Sequence, residues 1–140
     1  MTTKITDETR CPCGSGDTYQ ACCGRFHAGE AAPTAEALMR SRYSAYALSS
    51  TDADKFAQYV YDTWAPETRP DLEDLRTPGL DWDRLTILST TAGGPFDSEG
   101  TVEFVAQYHN DHGKRFQMHE VSDFRRENKR WFYVDGEVSE

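Results

Sequence analysis

The sequence predicts an α+β protein in which a metal-organised N-terminal arm precedes helices packed on a curved antiparallel sheet. Three observations predict it. All four cysteines, Cys11, Cys13, Cys22 and Cys23, lie between residues 11 and 23. From about residue 34 apolar side chains recur every three or four positions, and from residue 81 they alternate with polar ones. The chain has 140 residues, close to one ordinary domain of roughly 100–200 residues. We divide it into an arm over 1–30 and a body over 31–140.

Within the arm, residues 1–10 are polar and expected to fray. Residues 11–30 combine the cysteines with glycines and few aliphatic side chains, so they cannot build a core of their own. Composition changes at Ala31-Ala32-Pro33-Thr34. Pro33 and Thr34 open a helix over about 34–48, with Glu36 in its first turn and Leu38, Met39, Arg42, Tyr43, Tyr46 and Ala47 at helical spacing. Asp52 can cap a second helix, whose stripe is Ala53, Phe56, Ala57, Val60, Tyr61 and Trp64 and which Pro66 stops. A short third helix follows Pro70, with Leu72 and Leu75 facing inward and Thr77-Pro78-Gly79 ending it. Strands are expected over about 83–91, 102–109, 116–124 and 131–134, joined by Gly93-Gly94-Pro95, His109 to Gly113 and Glu127-Asn128.

Charge excludes some functions. The formal net charge is −9, and residues 51–140 carry all of the excess. An acidic body repels phosphate backbones, so it is not expected to bind nucleic acid generally. No run of eighteen apolar residues occurs, so no membrane span is expected. The opening MTTKITDETR has no apolar stretch after its charges and does not read as a secretory signal. A cytoplasmic location follows as the expectation; there, clustered thiols bind metal more often than they form disulfides.

The cysteine spacing is C-x-C-x8-C-C. Two close pairs across a loop can supply opposite edges of the tetrahedron that zinc prefers. Gly14 and Gly16 let the backbone curl around an ion. Arg10 and Arg25 flank the motif and can offset the negative charge of four thiolates. A closed site of this kind leaves no position for substrate, so one structural zinc is expected, worth on the order of 10 kcal/mol to the arm. Two alternatives are a redox pair at Cys22-Cys23 and replacement of one cysteine by His27 as ligand.

Cys11-Pro-Cys-Gly-Ser-Gly16 followed by Cys22-Cys23-Gly24 resembles the SEC-C motif. Leu38-Met-Arg-Ser-Arg-Tyr-Ser-Ala-Tyr46, Thr63-Trp64, His119-Glu120 with Ser122 and Phe124, and Arg130-Trp-Phe-Tyr-Val-Asp-Gly136 resemble the YchJ-like UPF0225 family. The resemblance implies a zinc knuckle followed by an NTF2-like (cystatin-like) cone of helices on the sheet. It implies Cys11, Cys13, Cys22 and Cys23 as ligands and a protein or ribosomal partner for the knuckle. By analogy it also implies a homodimer through the sheet. It implies no reaction.

Glu120 shares a strand face with Phe116, Met118 and Phe124. A carboxylate there either pairs with Arg40 or Arg42 from the first helix, or serves as a general base. His109, Asp111 and His112 cluster in a turn, most simply a solvated one. The expectation is therefore a zinc-stabilised binding or adaptor protein with an NTF2-like pocket domain. The alternative is a small hydrolase or isomerase using Glu120 with His119, Asp123 or Tyr108 inside the cone.

Overall fold

The computed structural model describes residues 9–76 and 81–139. The fraying expected at the N-terminus and the Thr77-Pro78-Gly79 helix stop lie outside these residues, apart from positions 9 and 10. Four helices precede four strands: α1 (Cys23–His27), α2 (Ala35–Ala47), α3 (Ala53–Asp62), α4 (Leu72–Arg76), β1 (Asp81–Ala92), β2 (Glu99–His109), β3 (Arg115–Glu127) and β4 (Arg130–Ser139). The strands form one antiparallel sheet in the order β1-β2-β3-β4. Register shifts between Trp82 and Arg84, between Ile87 and Ser89, and between Asp123 and Phe124 bend it. Helices on one face of a bent antiparallel sheet make the expected α+β cone.

Helix α2 is the centre of the molecule. Thr34 caps it by accepting from Ala37 N at 3.0 Å, and Gly93 O accepts from Ala35 N at 2.9 Å. One face packs on β1, β2 and β4. Leu38 and Met39 join Leu85, Val102, Phe104, Ala106, Phe124 and Trp131 in the main core. Ser41, Ser44 and Ala45 are buried as well, which the expected stripe did not include. The helix lies between two layers and therefore has no solvated face along these turns.

The second layer is the arm itself. Its four cysteines and Phe26 belong to the same buried cluster as the sheet residues. His27 fastens it to α2: Nε2 lies 2.8 Å from Ser41 O, and Nδ1 lies 2.5 Å from Tyr19 Oη. A carbonyl only accepts, so Nε2 carries the proton and Nδ1 accepts from the Tyr19 hydroxyl. The ring also meets Phe56 and Tyr59 edge-on, with centroids 5.2 and 4.7 Å away.

Helix α3 begins as expected, with Asp52 accepting from Lys55 N at 3.1 Å. After it, Ala65 N donates to Tyr133 O and Tyr133 N to Thr63 O, both at 2.8 Å. This short bridge covers the β4 edge. Helix α4 differs from expectation: none of its residues is buried, and Leu75 packs only on the margin of a second small cluster. Five residues on the rim are tied instead by Arg76 to Asp54 and Glu73, at 3.1 and 2.9 Å.

Two predictions follow from this packing. At the β1–β2 hairpin a Cβ on Gly100 would sit 2.4 Å from Gly93 Cα. The obstruction is backbone, so Gly100→Ala should destabilise the protein by about 2 kcal/mol or more, read from the denaturation midpoint. Second, burial lowers the His27 pKa below its ordinary 6.5. The unfolded chain then takes up the proton first on acidification. The ring's contribution to stability is complete above about pH 6.5 and is lost as pH falls from there through the depressed folded value. The His27 ring resonances should titrate with a midpoint below 6.5; a midpoint at or above it removes this clamp.

Candidate functional site

Two places gather chemistry: the cysteine cluster and a cavity under α2. In the cluster the chain turns at Gly14 and Gly16, whose φ angles of 80° and 94° demand glycine. Cys11 N donates to Asp17 O and Gly14 N to Cys11 O, at 3.0 and 3.1 Å, closing the loop. Helix α1, which the sequence did not reveal, then carries Cys23 into the core. Cys13 and Cys23 are fully buried.

All four sulfurs lie within 4.8 Å of one another. Cys13 Sγ and Cys22 Sγ are 3.6 Å apart, and Cys22 Sγ and Cys23 Sγ 3.9 Å. Metal–sulfur bonds of about 2.3 Å in a tetrahedron need sulfur–sulfur edges of about 3.8 Å. The donor set therefore fits a tetrahedral cation, and all four thiols are free. Crowding sets their protonation against one another. The hydrogen bond with Cys11 holds the Cys13 thiol well below its usual range, while the same contact pushes Cys11 up to about 11. Cys23 is raised further by its contact with Cys11. All four could be thiolates together only with a positive ion between them.

The surroundings support the sulfurs. Ser44 Oγ donates to Cys23 Sγ at 3.3 Å and lies 3.6 Å from Cys11 Sγ; Ser15 Oγ lies 3.2 Å from Cys22 Sγ. Arg40 Nη1 donates to Cys13 O at 2.9 Å. Ser44 and Ser15 were not anticipated in this role, and Arg40 was expected beside Glu120 instead. Their signal is the one-turn spacing of Arg40 and Ser44 on the face of α2 that the apolar stripe leaves over. Arg10 instead closes the loop through Gly16 O at 2.6 Å, and Arg25 pairs with Glu30 at 3.7 Å. His27 is outside the sulfur cluster, with both nitrogens engaged elsewhere. Among the described residues the cysteines alone form a group able to hold a metal. In the later turn, His109 pairs with Asp83 at 2.8 Å, which raises its pKa.

The second place is a cavity of about 310 Å³ between α2 and the concave face of the sheet. Tyr43, Tyr46, Trp64, Trp82, Phe104 and Tyr133 are its aromatic walls, and Glu120 and Arg42 bring charge to it. Glu120 is 8% exposed. Its Oε2 accepts from Ser122 Oγ and, at 3.2 Å, from Tyr133 Oη. A Cβ on Gly136 would strike that carboxylate, so glycine there makes room for it.

Neither expected arginine pairs with Glu120. Arg40 binds Glu36 at 3.0 Å and turns toward the cysteines. Arg42 Nη1 donates to Val60 O and Thr63 Oγ1, at 2.9 and 2.8 Å, satisfying the free carbonyl end of α3. Its guanidinium carbon stands 4.9 and 4.7 Å from the ring centres of Trp64 and Tyr133. The other enzyme candidates do not meet Glu120. His119 bonds Glu103 at 2.6 Å on the opposite sheet face, and Asp123 is exposed. Strand alternation sends 119 and 123 away from the side of 120. Tyr108 is on the concave side but stacks with Phe116 at 5.4 Å and meets Trp82 edge-on at 5.2 Å, outside the cavity lining.

The comparisons with known proteins agree with this arrangement. Residues 9–25 match the SEC-C motif, and residues 34–136 match the family described as YchJ, middle NTF2-like domain. A UPF0225 protein of Corynebacterium glutamicum is 52% identical over 130 residues, covering 92% of this chain and 97% of the relative. One from Chromobacterium violaceum is 46% identical over 143 residues, covering 99% and 100%. The solution structure of RPA3114, a SEC-C motif containing protein from Rhodopseudomonas palustris, superposes with a TM-score of 0.77 at 38% identity, covering 93% and 98%. A putative calcium/calmodulin dependent protein kinase II association domain from Xanthomonas campestris superposes with a TM-score of 0.52 at 15% identity, covering 99% and 96%, a likeness of fold alone. With a SEC-C motif whose sulfurs converge on one point and an NTF2-like domain behind it, the chain belongs to the UPF0225 family of YchJ-like proteins.

Proposed function

We propose that this is a zinc-organised binding protein rather than a metalloenzyme. The observation that carries this is the closure of the cysteine site. Four converging sulfurs fill a tetrahedron, so an ion there has no open position for water or substrate. Zinc suits the set because it takes four thiolates without redox chemistry. Its task is mechanical: it shapes the loop over 11–23 and presses it on α2 through Ser44 and Arg40.

The outward side of the knuckle is then the contact surface. Gly14, Ser15, Gly16 and Asp17 are exposed, with exposed Arg10 and Arg25 beside them. His27 belongs to the inward side. A small rigid patch edged by two arginines suits an acidic protein segment or ribosomal RNA phosphate, and the SEC-C likeness favours a ribosomal site. No helix among the described residues is long and apolar enough to cross a membrane.

Freshly isolated reduced protein should contain one zinc per chain, and Cys22→Ser should lose it; a wild-type protein without metal ends the proposal. Because the cysteines share a core with α2, chelation should shift amide signals over 35–47 as well as 11–30. The double variant Arg10→Glu, Arg25→Glu should keep its zinc and lose co-sedimentation with ribosomes. Equal co-sedimentation of both proteins, or none by the wild type, would remove the knuckle as that contact.

A further inference from the structure

We propose that the cavity beneath α2 takes a small aromatic carboxylate, with its acid group on Arg42 and Tyr46 and its ring among the aromatic walls. This goes beyond the knuckle, which lies on the other side of α2.

Arg42 is a buried cation without a contact counterion. It is 4% exposed, and among the described residues no carboxylate stands within ion-pair distance of it. Its neighbours are neutral: the carbonyl of Val60, the hydroxyl of Thr63 and the faces of Trp64 and Tyr133. Arginine keeps its proton in such surroundings. Burial lowers its pKa, and Glu120 is the least of the influences that oppose this. A buried charge is costly until an opposite charge meets it.

The guanidinium has donors to spare. Both of its hydrogen bonds use Nη1. Nε and Nη2 make none, and neither is sealed off, for among the described residues the buried nitrogens without a partner are Trp64 Nε1 and Arg125 Nε. Nε and Nη2 form one edge of the planar fork, which matches the two oxygens of a carboxylate.

Tyr46 lies one helical turn beyond Arg42, and both line the cavity. Its hydroxyl has no hydrogen-bond partner among the described residues, and Arg42 and Glu120 both act on it electrostatically. Burial raises its pKa, so it remains a donor. Glu120 does not occupy this seat; its Oε2 is engaged with Ser122 and Tyr133.

The rest of the cavity selects the ring. About 310 Å³ is at the lower end of small-molecule sites, roughly 300–1,000 Å³. Tyr43 and Trp82 meet edge-on with centroids 6.0 Å apart, and Phe104, Met39 and Met118 extend an apolar lining. Flat rings pack on such walls, and methionines adapt to them. Apolar walls around one uncompensated cation favour an anion with an apolar body.

The test uses the full chain as isolated and four probes: benzoate, benzamide, benzylamine and cyclohexanecarboxylate. Binding is read from the indole resonances. Benzoate should move those of Trp64 and Trp82 at roughly millimolar concentration or below, as suits a fragment. Trp131, which is not a wall residue, should stay in place. Benzoate should bind at least about tenfold more tightly than benzamide or benzylamine, and about threefold more tightly than cyclohexanecarboxylate. Arg42→Met should erase the margin of benzoate over benzamide. Because Arg42 also closes the end of α3, Tyr46→Phe provides a variant that keeps the fold: it deletes a hydroxyl without a partner and should weaken benzoate at least about threefold. Glu120→Gln should leave benzoate the preferred probe. Indoles unmoved by benzoate, any other probe matching it, or benzoate bound by Tyr46→Phe as by the wild type would each overturn the proposal, as would loss of the benzoate preference in Glu120→Gln.

Discussion

The structure depends on the seating of the sulfur cluster against helix α2. Four soft donors drawn from a glycine-rich loop cannot hold a shape by apolar burial, yet they belong to the main buried cluster. A cation at their focus would turn a crowded group into a rigid one, and the hydroxyl of Ser44 and the guanidinium of Arg40 tie that group to the helix. Tyr19 and His27 do the same from the opposite end of the knuckle. The arm is therefore part of the molecule's interior and not an appended tag.

Much of this was legible in the residues. The spacing of the cysteines announced convergence, and period-two alternation placed every strand, because both signals come from local geometry. Thr34 and Asp52 marked the helix starts through side-chain capping, again a local effect. What stayed hidden was set by distant partners. Helix α1 has Gly24 near its start and only five residues, so propensity alone does not produce it; ligand convergence and docking do. Ser41 and Ser44 read as polar surface until a second layer covers them. The guess that Arg42 pairs with Glu120 overlooked a stronger claim on the guanidinium, the unsatisfied carbonyl end of α3.

The cavity shows the same division. Alternation alone separates Glu120 from His119 and Asp123, so the strand pattern already argued against a concerted acid–base pair among them. It could not show that Gly136 makes space for the Glu120 carboxylate, or that Thr63 to Ala65 would run alongside β4 and bring Trp64 to the wall. The first depends on the register of β3 and β4, and the second on segments about seventy residues apart in sequence, roughly half the chain. Closing such long loops lets the same side chains face several partners, and only packing selects among them.

Helix α2 carries the knuckle contacts Arg40, Ser41 and Ser44 interleaved with the cavity residues Met39, Arg42, Tyr43 and Tyr46. One residue more or less within this stretch would rotate everything after it by about 100°. Hydroxyls would then meet the sheet and tyrosines the sulfurs. The length of this helical segment is therefore constrained as its side chains are, since no insertion or deletion there leaves both neighbours correctly matched.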